Sequence, residues 1–242
     1  MATVLDCKTV VATEERRWWR QPWGTLAAGF LLSFLVGIAS ARITEASGAD
    51  WNHGFRWERE LMIRVHHPLP AALDALMLIC PWFGTNISLI PMVIVFCWWL
   101  IQGCNARFLA MRLATVQIGS YLLNPSLKAL FDRQRPDMFE RRGWYGWSSY
   151  PSGHAIASVS VLFTIAIILH RLKGWTWPFY VLVPLTLASM YSRVYLAVHW
   201  PTDVIAGALV GLVWLLATMW AYRNDRGPAL RKAKKKVKPQ AS

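Results

Sequence analysis

The sequence predicts an all-α fold, a polytopic membrane bundle of about six transmembrane helices. Three observations point there. Apolar residues make up 55% of the 242 positions and charged residues only 16%, against roughly 25% charged in an ordinary soluble domain. Mean hydropathy is +0.30. Apolar runs of about 20 residues recur, the length that crosses about 30 Å of hydrocarbon as a helix. This composition excludes a disordered chain, a collagen-like fibre and a secreted disulfide scaffold. The four cysteines, Cys7, Cys80, Cys97 and Cys104, lack zinc-type spacing and read as buried, inert thiols.

Each element has its own warrant. Residues 1–22 are polar and basic and read as a cytoplasmic N-terminus. The apolar run 23–41 is too long for a signal-peptide core and reads as a retained first span. Residues 42–68 are mixed and polar. The stretch 69–101 is apolar but broken by Asp74, Pro81, Gly84, Asn86 and Pro91, which predicts a short interfacial helix near 69–80 and a second span near 83–101. A third span covers about 108–130, with a kink expected at Pro125. Spans near 154–169, 176–193 and 201–221 complete the bundle, so the membrane domain is 23–221. A basic tail follows over 222–242 and reads as a cytoplasmic segment touching anionic lipid.

Charge placement predicts the orientation. With both termini inside, 16 of the 26 Lys and Arg fall on the cytoplasmic side, which favours that topology. The formal net charge of +13 suits nucleic acid, an anionic membrane surface or a phosphate-bearing substrate. No nucleic-acid-binding module accompanies the charge, and nucleic acid is not expected as a partner.

The opposite, extracytoplasmic face is itself rich in base, and three clusters land on it. The end of the third span carries Lys128, Arg135 and Pro136. The start of the fourth reads Pro151-Ser152-Gly153-His154. The junction of the last two carries Ser192-Arg193, His199 and Asp203. Charged groups at a membrane boundary are costly unless paired or functional, and these cations call for an anion, with phosphate the obvious candidate. Ser152 fits a helix N-cap, and Gly153 lets a backbone N–H approach a ligand. Asp203, four residues after His199, can hold one ring nitrogen and leave the other as a nucleophile.

Lys-x6-Arg-Pro, Pro-Ser-Gly-His and Ser-Arg-x5-His-x3-Asp together resemble the three-part signature of the type 2 phosphatidic acid phosphatase family, integral membrane lipid phosphatases related to vanadium haloperoxidases. Eleven signature residues match in order and register over 128–203, about a third of the chain. The resemblance implies that His199 is the nucleophile that forms a phosphohistidine and that Asp203 orients it. It implies that His154 protonates the leaving oxygen and then activates water. Lys128, Arg135 and Arg193 would hold phosphate, with Ser152 and the Gly153 N–H adding hydrogen bonds and Ser192 supporting. No metal or other cofactor is implied.

The substrates in view are phosphatidic acid, phosphatidylglycerol phosphate and undecaprenyl pyrophosphate. The motifs read only the phosphate; in a bacterial membrane an outward-facing site favours undecaprenyl pyrophosphate. A phosphotransferase built on the same phosphohistidine is an alternative, as is a vanadate-dependent peroxidase. A lipid or anion transporter is a third, disfavoured because the charges lie at span ends rather than on broken helices at mid-membrane. Arg133, Arg141 and Arg142 read as solvated loop charges or headgroup contacts. His53, His66, His67 and His170 read as surface or interfacial residues, and the aromatics of 144–150 as a belt at the membrane surface.

Overall fold

The computed structural model describes residues 23–47, 50–67, 69–143 and 145–223. The basic N-terminus expected over 1–22 and nearly all of the basic tail lie outside them. Eight helices are described: α1 (Trp23–Ala46), α2 (Arg56–Val65), α3 (Ala71–Ile79), α4 (Asn86–Gln102), α5 (Arg107–Lys128), α6 (Gly153–Lys173), α7 (Trp177–Tyr195) and α8 (Pro201–Ala221). There is no named strand among the described residues, so the all-α expectation holds.

Three helices, α1, α6 and α8, are long and apolar enough to cross a membrane. A fourth candidate is the pair α3 and α4, bent by 57°. The break falls where the sequence is interrupted: Pro81 sits in a 3-10 turn over Cys80–Phe83, and Gly84 closes it. The sequence reading of about six spans counted α5 and α7 as well. Both are long, but α5 carries Arg107, Arg112, Gln117, Asn124 and Lys128, and α7 carries Arg193 with two prolines. Their polar side chains are turned inward: Arg112, Gln117, Ser120, Ser189 and Arg193 are all buried. Composition therefore understates how apolar their outer faces are, as in Ile118 and Leu122 of α5, both exposed.

The boundaries shift modestly from those expected. Helix α1 continues five residues past Ala41, and α6 contains a π-helical turn at Ser158–Leu162 that no sequence cue marked. Helix α2 was hidden in the mixed stretch 42–68. It is amphipathic, with Glu58 and Met62 buried and Trp57 and Ile63 exposed.

The core lies where α8 packs against α1 and against the start of α6. Gly207 and Gly211, one turn apart on α8, make the second contact possible. A Cβ on Gly207 would sit 2.5 Å from the Ser152 carbonyl oxygen, and one on Gly211 would sit 2.6 Å from that of Ile156. Small residues that let helix backbones touch are the usual device for packing between membrane helices. Here they bring the first turn of α8, with Asp203, against the first turn of α6, with His154. Trp214 of α8 packs on Gly119 of α5 and donates its indole N–H to the Val116 carbonyl at 3.0 Å, fixing the third helix of the core.

Candidate active site

All eight residues expected at the site come together at one end of the bundle. Lys128 is the last residue of α5, and the helix stops there. Arg135 arrives instead on the extended segment that follows, in keeping with the restriction that Pro136 places on it. The two side chains meet at one carbonyl: Lys128 Nζ donates to Ser148 O at 2.5 Å and Arg135 Nη2 to the same oxygen at 2.8 Å. Arg135 also donates through Nε to Gly146 O at 2.9 Å and through Nη1 to Val198 O, which aligns its plane with the His199 loop.

His199 sits between Arg135 and Asp203. Its Nε2 lies 3.5 Å from Arg135 Nη1, and its Nδ1 lies 3.6 Å from Asp203 Oδ2. The second distance is within ion-pair range and longer than a hydrogen bond; such contacts commonly tighten once substrate is bound. His199 is 3% exposed. Burial, then the charges of Arg135, Lys128 and Arg193, hold its imidazole well below the usual histidine range. At neutral pH the ring is therefore uncharged, the form a nucleophile requires. Burial likewise lowers Arg135 to about 10, and it remains a cation.

His154 follows Ser152 and Gly153 at the start of α6, within electrostatic range of Arg193, His199, Arg135 and Lys128. Ser152 occupies the N-cap position as expected, but its side chain makes no capping bond. Its buried Oγ has no hydrogen-bond partner among the described residues. Gly153 has a packing reason beyond ligand approach: the space a Cβ would need is taken by the Asn124 side chain, 2.6 Å away. Arg193, on the last turn of α7, is 2% exposed.

Asp203 is the organising carboxylate. Its Oδ2 accepts from Ser149 Oγ at 2.5 Å and from the Trp200 N–H at 2.9 Å, and its Oδ1 accepts from Arg133 Nη1 at 2.6 Å. Pro201 opens the first turn of α8, two residues before Asp203. The backbone N–H of Ser152 donates to the Asp203 carbonyl at 3.0 Å, tying the two helix starts together.

Several sequence expectations need correction. Arg133 is not a solvated loop charge: it is wholly buried and paired with both Asp203 and Glu58. Arg142 is held in a two-pronged ion pair with Asp74, at 2.6 and 2.7 Å. Arg141 folds back onto the Pro136 carbonyl at 2.8 Å and lies over the Tyr145 ring. His66 is half-buried and stacked on Phe139 at 3.9 Å. In the 144–150 stretch, Tyr145 and Trp147 are exposed as a surface belt requires. Tyr150, however, is fully buried and donates to the Gly37 carbonyl at 2.6 Å. Glu58, Arg133 and Ser149 are the residues that motif reasoning missed. The one available signal was their chemistry, since a carboxylate on an amphipathic helix and an arginine two residues from Arg135 are both expensive to bury unpaired.

The PAP2 superfamily model matches residues 109–226, a span that contains all eight expected site residues, Arg133 and Ser149, but not Glu58. A putative undecaprenyl-diphosphatase of Escherichia coli (strain K12) is 31% identical over 141 residues, covering 54% of this chain and 65% of the relative. The chain thus spans just under two thirds of that protein's length. An undecaprenyl-diphosphatase of Sulfolobus acidocaldarius is 28% identical over 169 residues, covering 68% of this chain and 77% of the relative. Among solved structures, a transmembrane PAP2-type phosphatidylglycerolphosphate phosphatase from Bacillus subtilis superposes with a TM-score of 0.64 at 20% identity, over 90% of this chain and 99% of that one. That likeness is one of fold. Motif, family model and fold agree in their likeness to the PAP2 superfamily, whose model covers just under half of the chain.

Proposed function

We propose that this chain is a membrane phosphohydrolase that cleaves a lipid phosphate ester or diphosphate through a phosphohistidine, with a polyprenyl diphosphate the leading substrate. The observation that carries the reading is the setting of His199. An uncharged, buried imidazole stands between a carboxylate at 3.6 Å and a guanidinium at 3.5 Å, with Lys128 and Arg193 close enough to act on its charge. In this reading His199 Nε2 attacks phosphorus, the bond from phosphorus to the leaving oxygen breaks, and His154 supplies that oxygen's proton. Water then attacks the phosphohistidine, giving its proton to His154, and inorganic phosphate leaves. Lys128, Arg135 and Arg193 neutralise the charge on the equatorial oxygens, and the Ser152 hydroxyl and Gly153 N–H add hydrogen bonds. Asp203 holds the Nδ1 proton of His199 and balances the positive charge the ring acquires.

The substrate preference rests on relatives named as undecaprenyl-diphosphatases and on an outward-facing site. In the proposed topology α5 and α7 also cross the membrane, the bent pair α3 and α4 counts as one span, and six spans place the site on the extracytoplasmic face. The test is phosphate release by purified, detergent-solubilised protein from a panel holding undecaprenyl pyrophosphate, phosphatidic acid and phosphatidylglycerol phosphate. Preferred turnover of the first, lost in His199→Ala, is the expected result. No release from any of the three overturns the reading.

A further inference from the structure

We propose that Glu58 and Arg133 are positioning residues for the reaction: a buried Glu58–Arg133–Asp203 relay sets the charge and orientation of Asp203 and, through it, of His199. The inference rests on the phosphohistidine reading above and assigns Glu58, which lies outside its motifs, and Arg133, a variable position within the first of them.

The relay is complete in its contacts. Arg133 Nη1 donates to Asp203 Oδ1 at 2.6 Å and to Thr202 Oγ1 at 2.7 Å. Its Nη2 donates to Glu58 Oε2 at 3.1 Å and its Nε to the Trp51 carbonyl at 2.9 Å. The guanidinium also lies over the rings of Trp51 and Trp200, 4.8 and 5.6 Å from their centroids. Glu58 Oε1 accepts from the Thr202 N–H at 2.9 Å and from its hydroxyl at 2.6 Å, and Oε2 accepts from the Phe55 N–H at 2.9 Å. Glu58, Arg133 and Asp203 are all 0% exposed. With every edge occupied and no surface open, Arg133 cannot swing onto a phosphate. It acts on the reaction through Asp203.

Charge explains why two carboxylates flank one arginine. Paired with Asp203 alone, Arg133 would cancel the carboxylate on which His199 depends. Glu58 takes up that positive charge, so the relay keeps a net charge of minus one beside the ring. That charge is needed when the ring becomes positive, in the transition state and in the phosphohistidine. Helix α2 is the carrier: its buried face delivers Glu58 while Trp57 and Ile63 look outward.

Glu58→Gln removes the charge and keeps the shape. The other groups acting on His199 stay in place: Lys128 on α5, Arg135 on the loop, His154 on α6, Arg193 on α7 and Asp203 on α8. Measured on farnesyl diphosphate, kcat should fall about 10- to 100-fold, the scale of a positioning defect. KM and inhibition by orthovanadate should stay within about twofold, because the cationic cradle is untouched. Loss of a negative charge disfavours the imidazolium, so the acid limb of kcat/KM should move to lower pH by about half a unit or more. Glu58→Asp keeps the charge but shortens the reach, so it should hold the wild-type acid limb while lowering kcat.

Wild-type kcat and acid limb in Glu58→Gln overturn the proposal. So does a loss of kcat matched by an equal loss of vanadate affinity with no movement of the limb, which is what a purely structural role would give. Should Glu58→Gln yield no folded protein, Glu58→Asp decides: a wild-type kcat, or vanadate affinity falling in step with kcat, overturns the relay. His199→Ala, run in parallel, separates the two levels. Its inactivity upholds the phosphohistidine reading whatever the Glu58 variants do, and its retained turnover defeats that reading itself.

Discussion

Arg135→Gln should move the acid limb of kcat/KM upward in pH, and the size of the move follows from the site. Arg135 Nη1 lies 3.5 Å from His199 Nε2, and both side chains are buried. A unit charge at that distance is worth roughly 1 kcal/mol at the dielectric of water and roughly 5 kcal/mol at an effective dielectric near 20. At about 1.4 kcal/mol per pH unit this is a shift of about 1 to 3.5 units. The sign is fixed by the charges. Arg135 disfavours the imidazolium, so in the wild type His199 takes up a proton only well below the usual histidine range. Removing the guanidinium raises that value and carries the limb with it. The variant also binds phosphate less well, so absolute rates fall, but the position of the limb does not depend on their scale. The assay is kcat/KM for farnesyl diphosphate from about pH 4 to 9 in constant-ionic-strength buffers. An acid limb that stays put, or moves down, would refute the assignment of that limb to His199.

Activity should survive chelators and be inhibited by vanadate, because Asp203 is a single carboxylate already committed to Arg133, Ser149 and the Trp200 N–H and makes a poor magnesium site; loss with EDTA, restored by magnesium, would refute this. A cysteine at Gly146, beside Arg135, should react with an impermeant thiol reagent in intact cells while one at Lys173 does not, and the reverse would invert the topology. Gly207→Val should lower stability by about 1–3 kcal/mol and the thermal midpoint in detergent with it, since the new side chain meets the Ser152 backbone and has no flexible neighbour to displace; an unchanged midpoint would show that α6 and α8 are not pressed together there. His154→Ala should cost about 10²–10⁴-fold on a lipid monoester and much less on p-nitrophenyl phosphate, whose leaving group departs unprotonated, while His199→Ala should gain nothing from that change; equal residual rates on both substrates would mean the two histidines are assigned wrongly.

The spans α1, α6 and α8 were legible because apolar length is a local property of the chain. The run from 201 to 221 was placed to the residue, and the break near Pro81 and Gly84 appeared where proline and glycine interrupt the pattern. What escaped was everything that depends on which side of a helix faces inward. Helix α2 looked merely mixed because its two buried positions, Glu58 and Met62, are separated by charged and exposed residues. Helix α5 was read as a span, but not that its polar residues Arg112, Gln117 and Ser120 are all buried in the bundle.

The site divides along the same line. His154, His199, Asp203, Lys128 and Arg135 were readable because fixed spacing within each motif ties them to helix ends or to the short segments beside them, where the chain can present polar groups to one point. Arg133 was misread for the opposite reason. Nothing within its own segment, where Asp132 is exposed beside it, hints at a partner, and its partners lie 70 and 75 residues away. A buried arginine needs compensation from wherever the fold supplies it, and only the packing of α2 on the α8 start supplies Glu58. The motifs therefore specify the groups proposed to meet phosphate, while the carboxylate that balances Arg133 comes from a helix whose sequence carries no motif. A signature can be complete in such a chain and the site still incomplete without α2, which is why substitutions at Glu58 test the catalytic geometry more sharply than further changes among the cations.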